Sequence, residues 1–180
     1  MKLIILDRDG VINYDSDQFI KSPQEWRPIE GSMEAIALLN QFGWRVVVAT
    51  NQSGVGRGLF DMDTLAAIHE KMNRTLAQTG GRVEAIFFCP HPADSKCACR
   101  KPKPGMLLEI ASRFNVNLAD VPVVGDSLRD LQAAVAAGGQ PVLVRTGKGA
   151  RTEADPALPA GTPIHDNLAA VACALTMASD

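Results

Sequence analysis

The most constraining stretch of this chain is its first ten residues. Leu3 to Leu6 form an apolar run that stops at two aspartates, Asp7 and Asp9, with Gly10 behind them. A run of this length, bounded by polar residues and glycine, predicts a fully buried strand of a parallel sheet. Ligand sites in open parallel sheets lie beyond the carboxyl ends of the strands. Two carboxylates one residue apart at that place suit a hard, oxygen-seeking cation such as magnesium. Taken alone, the same residues also spell a strand-end turn in which aspartates bond nearby backbone groups. The later strands have to separate the two.

Further buried runs are predicted at Arg45 to Ala49, Val83 to Phe88, Val121 to Val124 and Pro141 to Val144. Helical patterns lie between them. One opens at Gly31-Ser32, with Ser32 as cap and Gly43 as stop, and runs through Met33, Ile36, Leu38 and Leu39. A second starts at Asp61 or Asp63, carries Leu65, Ile68, Met72 and Leu76, and ends at Gly80-Gly81. Others follow from Pro104 to Phe114, from Ser127 to Ala137, and from Asp166 to Met177, the last packing Leu168, Val171 and Leu175. Residues 11–31, broken by Pro23 and Pro28, predict a flap over the strand ends rather than a second domain. Strands alternating with helices predict an α/β fold, a Rossmann-like doubly wound parallel sheet, as a single domain over residues 1–180.

The residues that end the strands form a coherent set: Asp7 and Asp9, then Thr50, then Arg100 and Lys101 after a cysteine-rich loop, then Asp126. Three carboxylates on one rim repel one another, and a divalent cation would hold them ionised. A cation, a hydroxyl and a lysine around one point suit a phosphoryl group, whose transfer is mainly positioning and charge stabilisation. Asp7 can act as a covalent nucleophile, and Asp9 can protonate the leaving alkoxide and then deprotonate water.

The order Leu-Asp-Arg-Asp-Gly, Ala-Thr-Asn-Gln, Arg-Lys-Pro and Val-Gly-Asp-Ser resembles the four signature segments of the haloacid dehalogenase superfamily of phosphohydrolases. The resemblance covers nearly the whole chain. It implies Asp7 as nucleophile, Asp9 as general acid/base, and Thr50 and Lys101 as holders of the transferring phosphoryl group. It also implies magnesium bound by Asp7, the backbone carbonyl of Asp9, and Asp126, with Asp130 supporting that motif rather than contacting the metal. The spacing from Asp9 to Thr50 leaves no room for a large cap domain, so loops must grip the substrate.

The cysteine loop offers Cys89, His91, Cys97 and Cys99, a closed four-ligand set of the kind zinc takes in structural sites. The alternative is three reduced thiols and a surface histidine. Zinc here would pin the loop and so place Arg100 and Lys101. The combination of Cys-Pro-His, Cys-Ala-Cys-Arg-Lys-Pro and Thr-Asn-Gln-Ser-Gly-Val-Gly-Arg-Gly is similar to the D-glycero-D-manno-heptose 1,7-bisphosphate 7-phosphatases and, next to them, the histidinol-phosphate phosphatases. Enzymes of the first family remove the C7 phosphate on the route to ADP-heptose for lipopolysaccharide core. Ser53-Gly54 and Arg57 favour that branch. Ser127 departs from the family, many of whose members carry lysine there, so that cationic contact is absent or replaced.

Substrate contacts are expected from Asn51, Gln52, Ser53 and Arg57 in the glycine-rich loop and from Arg100, with Arg57 or Arg100 reaching a distal phosphate. A net charge of −2 argues against nucleic acid as a partner, and no apolar stretch is long enough to span a bilayer. No export signal is evident, so a cytoplasmic monomer acting on a phosphorylated sugar is expected, and reduced cysteines with it. Histidinol phosphate as substrate, or a non-catalytic zinc-stabilised binding module, are the competing functions. His69 and His165 read as surface residues, Trp26 as a core tryptophan, Cys173 as a small core residue of the last helix, and Arg8 as a bystander on the far side of the strand from the two aspartates.

Overall fold

The computed structural model describes residues 1–178. Six parallel strands form one sheet: β1 (Lys2–Leu6), β2 (Trp44–Asn51), β3 (Ala85–Cys89), β4 (Pro122–Gly125), β5 (Gln140–Val144) and β6 (Ile164–His165). Their spatial order is β3-β2-β1-β4-β5-β6, so the chain reverses its direction of travel between β1 and β4. At that switch point neighbouring crossovers leave in opposite directions and open a crevice at the carboxyl ends. Asp7 and Asp126 follow the two strands that flank it.

The central strands alternate between two apolar layers, as period-two geometry requires of a sheet buried on both faces. Ile4, Leu6, Val46, Val48 and Val124 pack against α1 (Ser32–Gln41), α3 (Met62–Gln78) and α7 (Leu168–Met177). Leu3, Ile5, Val47, Ala49 and Val123 face α4 (Gly105–Phe114) and α5 (Leu128–Ala137). Two short helical turns, α2 (Ser53–Gly56) and α6 (Gly149–Glu153), fall in stretches expected to be loop. Each is about one turn, too short for a periodic signal.

Residues 11–31 are largely irregular, as expected of the flap, with one short 3₁₀ turn at Pro23–Glu25. They are anchored by Trp26, whose side chain is fully buried. No large cap interrupts the sheet. Among the described residues, no helix is long and apolar enough to cross a membrane.

Several local expectations are corrected. Ser32 is the first residue of α1 rather than its cap; Gly31 takes that place, and the Ser32 hydroxyl donates to the Ile12 carbonyl at 2.7 Å, tying α1 to the flap. The last helix starts at Leu168, capped by Asn167, whose side chain accepts from the Ala170 amide. Cys173 is exposed. It lies two residues from both Val171 and Leu175, about 200° around the helix from each, so it cannot share their stripe. His69 is buried on α3, on the same face as Leu65, Ile68 and Met72. His165 is half-buried in β6, a two-residue strand with no apolar run to announce it.

Candidate active site

A cleft of about 660 Å³ opens at the carboxyl ends of the strands. Asp7 and Asp9 enter it from β1, Asn51, Gln52, Ser53 and Arg57 from the segment after β2, Arg100 and Lys101 from the loop after β3, and Asp126 from β4. Thr50 is not on its wall: it is 1% exposed, and its hydroxyl accepts from Gln52 Nε2 at 2.9 Å. Asp15 and Phe19 of the flap, Arg129 of α5, and Lys148 before α6 are also part of the lining, and sequence reasoning passed over all four for this role. The only signal for Arg129 was its place one turn of chain beyond Asp126.

Lys101 is the hub. Its ammonium is nearly buried and donates to the Ala49 carbonyl at 2.8 Å, with Asp130 Oδ1 at 2.7 Å and Asp7 Oδ1 at 3.1 Å. One hydrogen bond and two ion pairs thus fix the position of the ammonium. Burial opposes the charge on Lys101, but Asp130 and Asp7 outweigh it and raise its pKa. Asn51, which lines the cleft and is expected to touch substrate, also grips the backbone of Lys101: its Nδ2 donates to the Lys101 carbonyl at 3.0 Å and its Oδ1 accepts from the Lys101 amide at 3.1 Å.

Asp7, Asp126 and Asp130 each bring a carboxylate oxygen within 4.8 Å of the others. Burial first, then the neighbouring negative charges of Asp130 and Asp9, push Asp7 up to about 7 despite Lys101. Burial, then Asp7 and Asp130, push Asp126 up to about 8. Asp130 stays low because Lys101 and Ser127 outweigh its burial. Both of its oxygens are engaged, Oδ1 by Lys101 and Oδ2 by the Ser127 amide and hydroxyl at 3.1 and 2.7 Å. Asp130 thus stands both in the carboxylate group that could hold a metal and in contact with Lys101 and Ser127.

The donor set fits a hard divalent cation. Asp7 Oδ2 and Asp126 Oδ1 have no hydrogen bond among the described residues, while Asp126 Oδ2 accepts from the Lys148 amide at 2.8 Å. Gly10 and Gly147 pack so closely on Asp126 that a Cβ at either would overlap its carboxylate, and both have positive φ. Oxygen ligands in a tight, acidic cradle are what magnesium selects.

The chain after Asp7 turns instead of staying extended: the amides of Val11, Ile12 and Asn13 all point to the Arg8 carbonyl. This overturns the bystander role given to Arg8, because the turn brings its side chain beneath Asp9. Arg8 Nε donates to Asp9 Oδ1 at 2.9 Å, and Asn13 Nδ2 donates to the same oxygen at 3.0 Å. Gln52 Nε2 donates to Asp9 Oδ2 at 3.1 Å. Burial alone would raise the Asp9 pKa, but Arg8, helped by Asn13 and Gln52, holds it below the usual carboxylate range.

Beside the cleft, Cys89 Sγ lies 3.4 Å from His91 Nδ1, 3.7 Å from Cys97 Sγ and 3.1 Å from Cys99 Sγ, and Cys99 Sγ lies 3.3 Å from His91 Nδ1. A tetrahedron with zinc–sulfur bonds of about 2.3 Å has edges of about 3.8 Å, so these atoms form a cluster that could bind zinc. Without a cation, burial and then Cys99 push the Cys89 thiol up to about 12. The cluster is joined to the cleft: the Cys89 carbonyl accepts from the Gln52 amide at 2.7 Å, the Pro90 carbonyl from the Gly56 amide at 2.9 Å, and the His91 carbonyl from Arg100 Nη1 at 3.4 Å.

A parallel sheet with its acid pair after the first strand, a buried lysine after the third and a further acid pair after the fourth defines a phosphoric monoester hydrolase of the haloacid dehalogenase type. Comparison with known proteins agrees. Residues 2–134 match the family model for polynucleotide kinase 3 phosphatase, and residues 98–171 match one for HAD-hydrolase-like proteins. The D-glycero-beta-D-manno-heptose-1,7-bisphosphate 7-phosphatase of Bordetella bronchiseptica is 64% identical over 172 residues, 96% of each chain. The enzyme of the same name from Pseudomonas aeruginosa is 57% identical over 173 residues, 96% of this chain and 97% of that one. A crystal structure of the D,D-heptose 1,7-bisphosphate phosphatase from B. bronchiseptica, complexed with magnesium and phosphate, superposes with a TM-score of 0.98 at 62% identity over 99% of both chains. The chain belongs to the heptose bisphosphate phosphatase family of HAD hydrolases.

Proposed function

We propose that this phosphatase removes the C7 phosphate of D-glycero-D-manno-heptose 1,7-bisphosphate, on the route to ADP-heptose for lipopolysaccharide core. The observation that carries the proposal is the pairing of a buried Asp7–Lys101–Asp126 centre with three guanidinium groups, Arg57, Arg100 and Arg129, on the same cleft. Burial and then the charges of Arg129 and Arg57 lower the pKa of Arg100, a sign that these cations crowd one another. Such a crowd suits a ligand with a second phosphate, which can be bound in bidentate fashion. Histidinol phosphate, with one phosphate and an amine, would add a positive charge to it.

In the chemical scheme, the negative charge of the bound phosphate favours the protonated form of Asp9 against the pull of Arg8. An Asp7 carboxylate oxygen attacks phosphorus while the bond to the sugar oxygen breaks, and Asp9 gives its proton to that oxygen as it leaves. Asp9, now a carboxylate, takes a proton from water as the water oxygen attacks the aspartyl-phosphate, releasing phosphate and restoring Asp7. Lys101 balances charge on the transferring group, and Asn51 holds Lys101 in register. Thr50, behind Gln52, orients that side chain and holds the phosphoryl group once substrate displaces the contact. A magnesium ion held by Asp7, the Asp9 carbonyl and Asp126 would neutralise the carboxylates and polarise a phosphoryl oxygen. Zinc at Cys89, His91, Cys97 and Cys99 would be structural.

Parallel measurement of phosphate release from both anomers of heptose 1,7-bisphosphate and from histidinol phosphate tests the proposal. A kcat/KM at least tenfold higher for a heptose bisphosphate is expected; a preference for histidinol phosphate would overturn it.

A further inference from the structure

A polar chain runs inward from Asp9 that the chemistry described above does not use. Arg8 is fully buried and spends its guanidinium in two directions. Toward the cleft, Nε donates to Asp9 Oδ1 at 2.9 Å. Nη2 lies 2.8 Å from the same oxygen, near enough for an ion pair though poorly aligned for a hydrogen bond. Toward the core, Nη1 lies 3.1 Å from Nε2 of His69, which sits on α3 with its ring tilted against Phe88.

An arginine side chain has donors only. His69 Nε2 must therefore accept, which leaves the ring neutral with its proton on Nδ1. Burial and then the charge of Arg8 keep the imidazole neutral, lowering its pKa to about 4. A histidine facing a buried arginine is thus an acceptor that fixes where the guanidinium can go.

The two oxygens of Asp9 are treated differently. Oδ1 receives Arg8 and Asn13, both fully buried. Among the described residues, Oδ2 receives only Gln52, which lines the cleft. We infer that Arg8, braced by His69, is a positioning residue that anchors Asp9 through Oδ1 and leaves Oδ2 as the oxygen that gives the proton to the sugar and later takes one from water. The inference rests on the assignment of Asp9 as general acid/base. It adds His69, on a helix outside the cleft wall, to the residues on which turnover depends.

The test compares kcat/KM for heptose 1,7-bisphosphate with that for p-nitrophenyl phosphate. This constant reports steps up to the first irreversible one, here breakage of the P–O bond. A sugar alkoxide needs a proton in that step, whereas p-nitrophenolate leaves as a stable anion. Removing the acceptor with His69→Leu should lower kcat/KM about tenfold for the sugar, part of the contribution a general acid makes, and less than threefold for the aryl ester. His69→Gln, which offers an acceptor oxygen, should recover most of the loss. Equal losses on both substrates, or none, would overturn the inference. Should His69→Leu fail to fold, Arg8→Lys, which keeps the charge but loses the two-nitrogen grip, is judged by the same ratio. Asp9→Asn separates the two levels: a selective loss there without one at position 69 or 8 refutes the bracing alone, whereas no selective loss in Asp9→Asn refutes the acid assignment and the inference together.

Discussion

The two candidate metal clusters among the described residues are built in opposite ways. The carboxylate centre takes Asp7 from the end of β1 and Asp126 and Asp130 from β4 and α5, residues far apart in the chain that meet because the strands are neighbours. The sulfur–imidazole cluster takes all four of its groups from residues 89–99, the last residue of β3 and the loop that follows it. One is held by the sheet and needs a cation to quiet its charges. The other has little secondary structure of its own, and a bound cation would pin its shape. The carboxylate centre should therefore survive as a scaffold without metal, and the loop should not.

The sharpest break in that comparison comes from Asp7→Asn. Turnover should fall on the order of 10⁴-fold, as for other residues that act as a unit with their partners, while the thermal midpoint holds or rises because a crowded negative charge is gone. Activity surviving that change would remove the covalent scheme. Next in size is the loop. Stripping zinc with a chelator, or replacing Cys97 by serine, should lower kcat/KM about 10–100-fold with magnesium saturating, comparable to loss of an outer-shell contact in other metal sites. The route is structural: the loop carries Arg100 and Lys101, and its carbonyls hold Gln52 and Gly56. Full activity in a sample shown by metal analysis to lack zinc would uncouple the two regions.

Arg129→Ala sharpens the comparison within the cleft. It should raise KM for the bisphosphate about tenfold, in line with loss of a charged hydrogen bond, and leave KM for a sugar monophosphate almost unchanged. Equal effects on both would remove Arg129 from distal phosphate binding.

The smallest effect is on stability. Asp7 and Asp126 have folded-state pKa values raised to about 7 and about 8, well above an ordinary carboxylate. Their contribution to stability is complete at low pH and is lost as pH rises through those values, because the fold then holds ionised groups that it disfavours. The metal-free protein should lose a few degrees of thermal midpoint between pH 6 and 9, and saturating magnesium should flatten the slope. A metal-free protein that is flat over this range would show that the carboxylates are ionised without help.

Much of the fold was legible because buried strands and amphipathic helices write their periods locally. Val46 to Val48 and the stripe Leu65, Ile68, Met72 could hardly be placed otherwise. β6 was not legible, since two residues carry no period; it pairs because β5 offers an open edge. Cys173 was misplaced because an apolar helix does not declare which of its faces is covered. In the site, Asp7 and Asp126 stood out as polar residues ending apolar runs, and Lys101 by its place in the Arg-Lys-Pro segment after the cysteine loop. Asn51 was seen as a cleft residue, but its clamp on the Lys101 backbone was not, since nothing in a linear chain shows that these two segments meet.

By itself the sequence determined the order of strands and helices, the chemistry at each strand end, and the four thiol and imidazole groups that share one loop. These follow from short-range periods and from side-chain chemistry, which neighbours in sequence settle. The tertiary structure decided that β1 and β4 are adjacent, which converts dispersed acids into one centre. It also turned the chain at Arg8 so that a residue between two catalytic candidates reaches back beneath one of them to meet His69. Such pairings depend on long-range packing, where burial forces a guanidinium to find acceptors and leaves few places for it to do so.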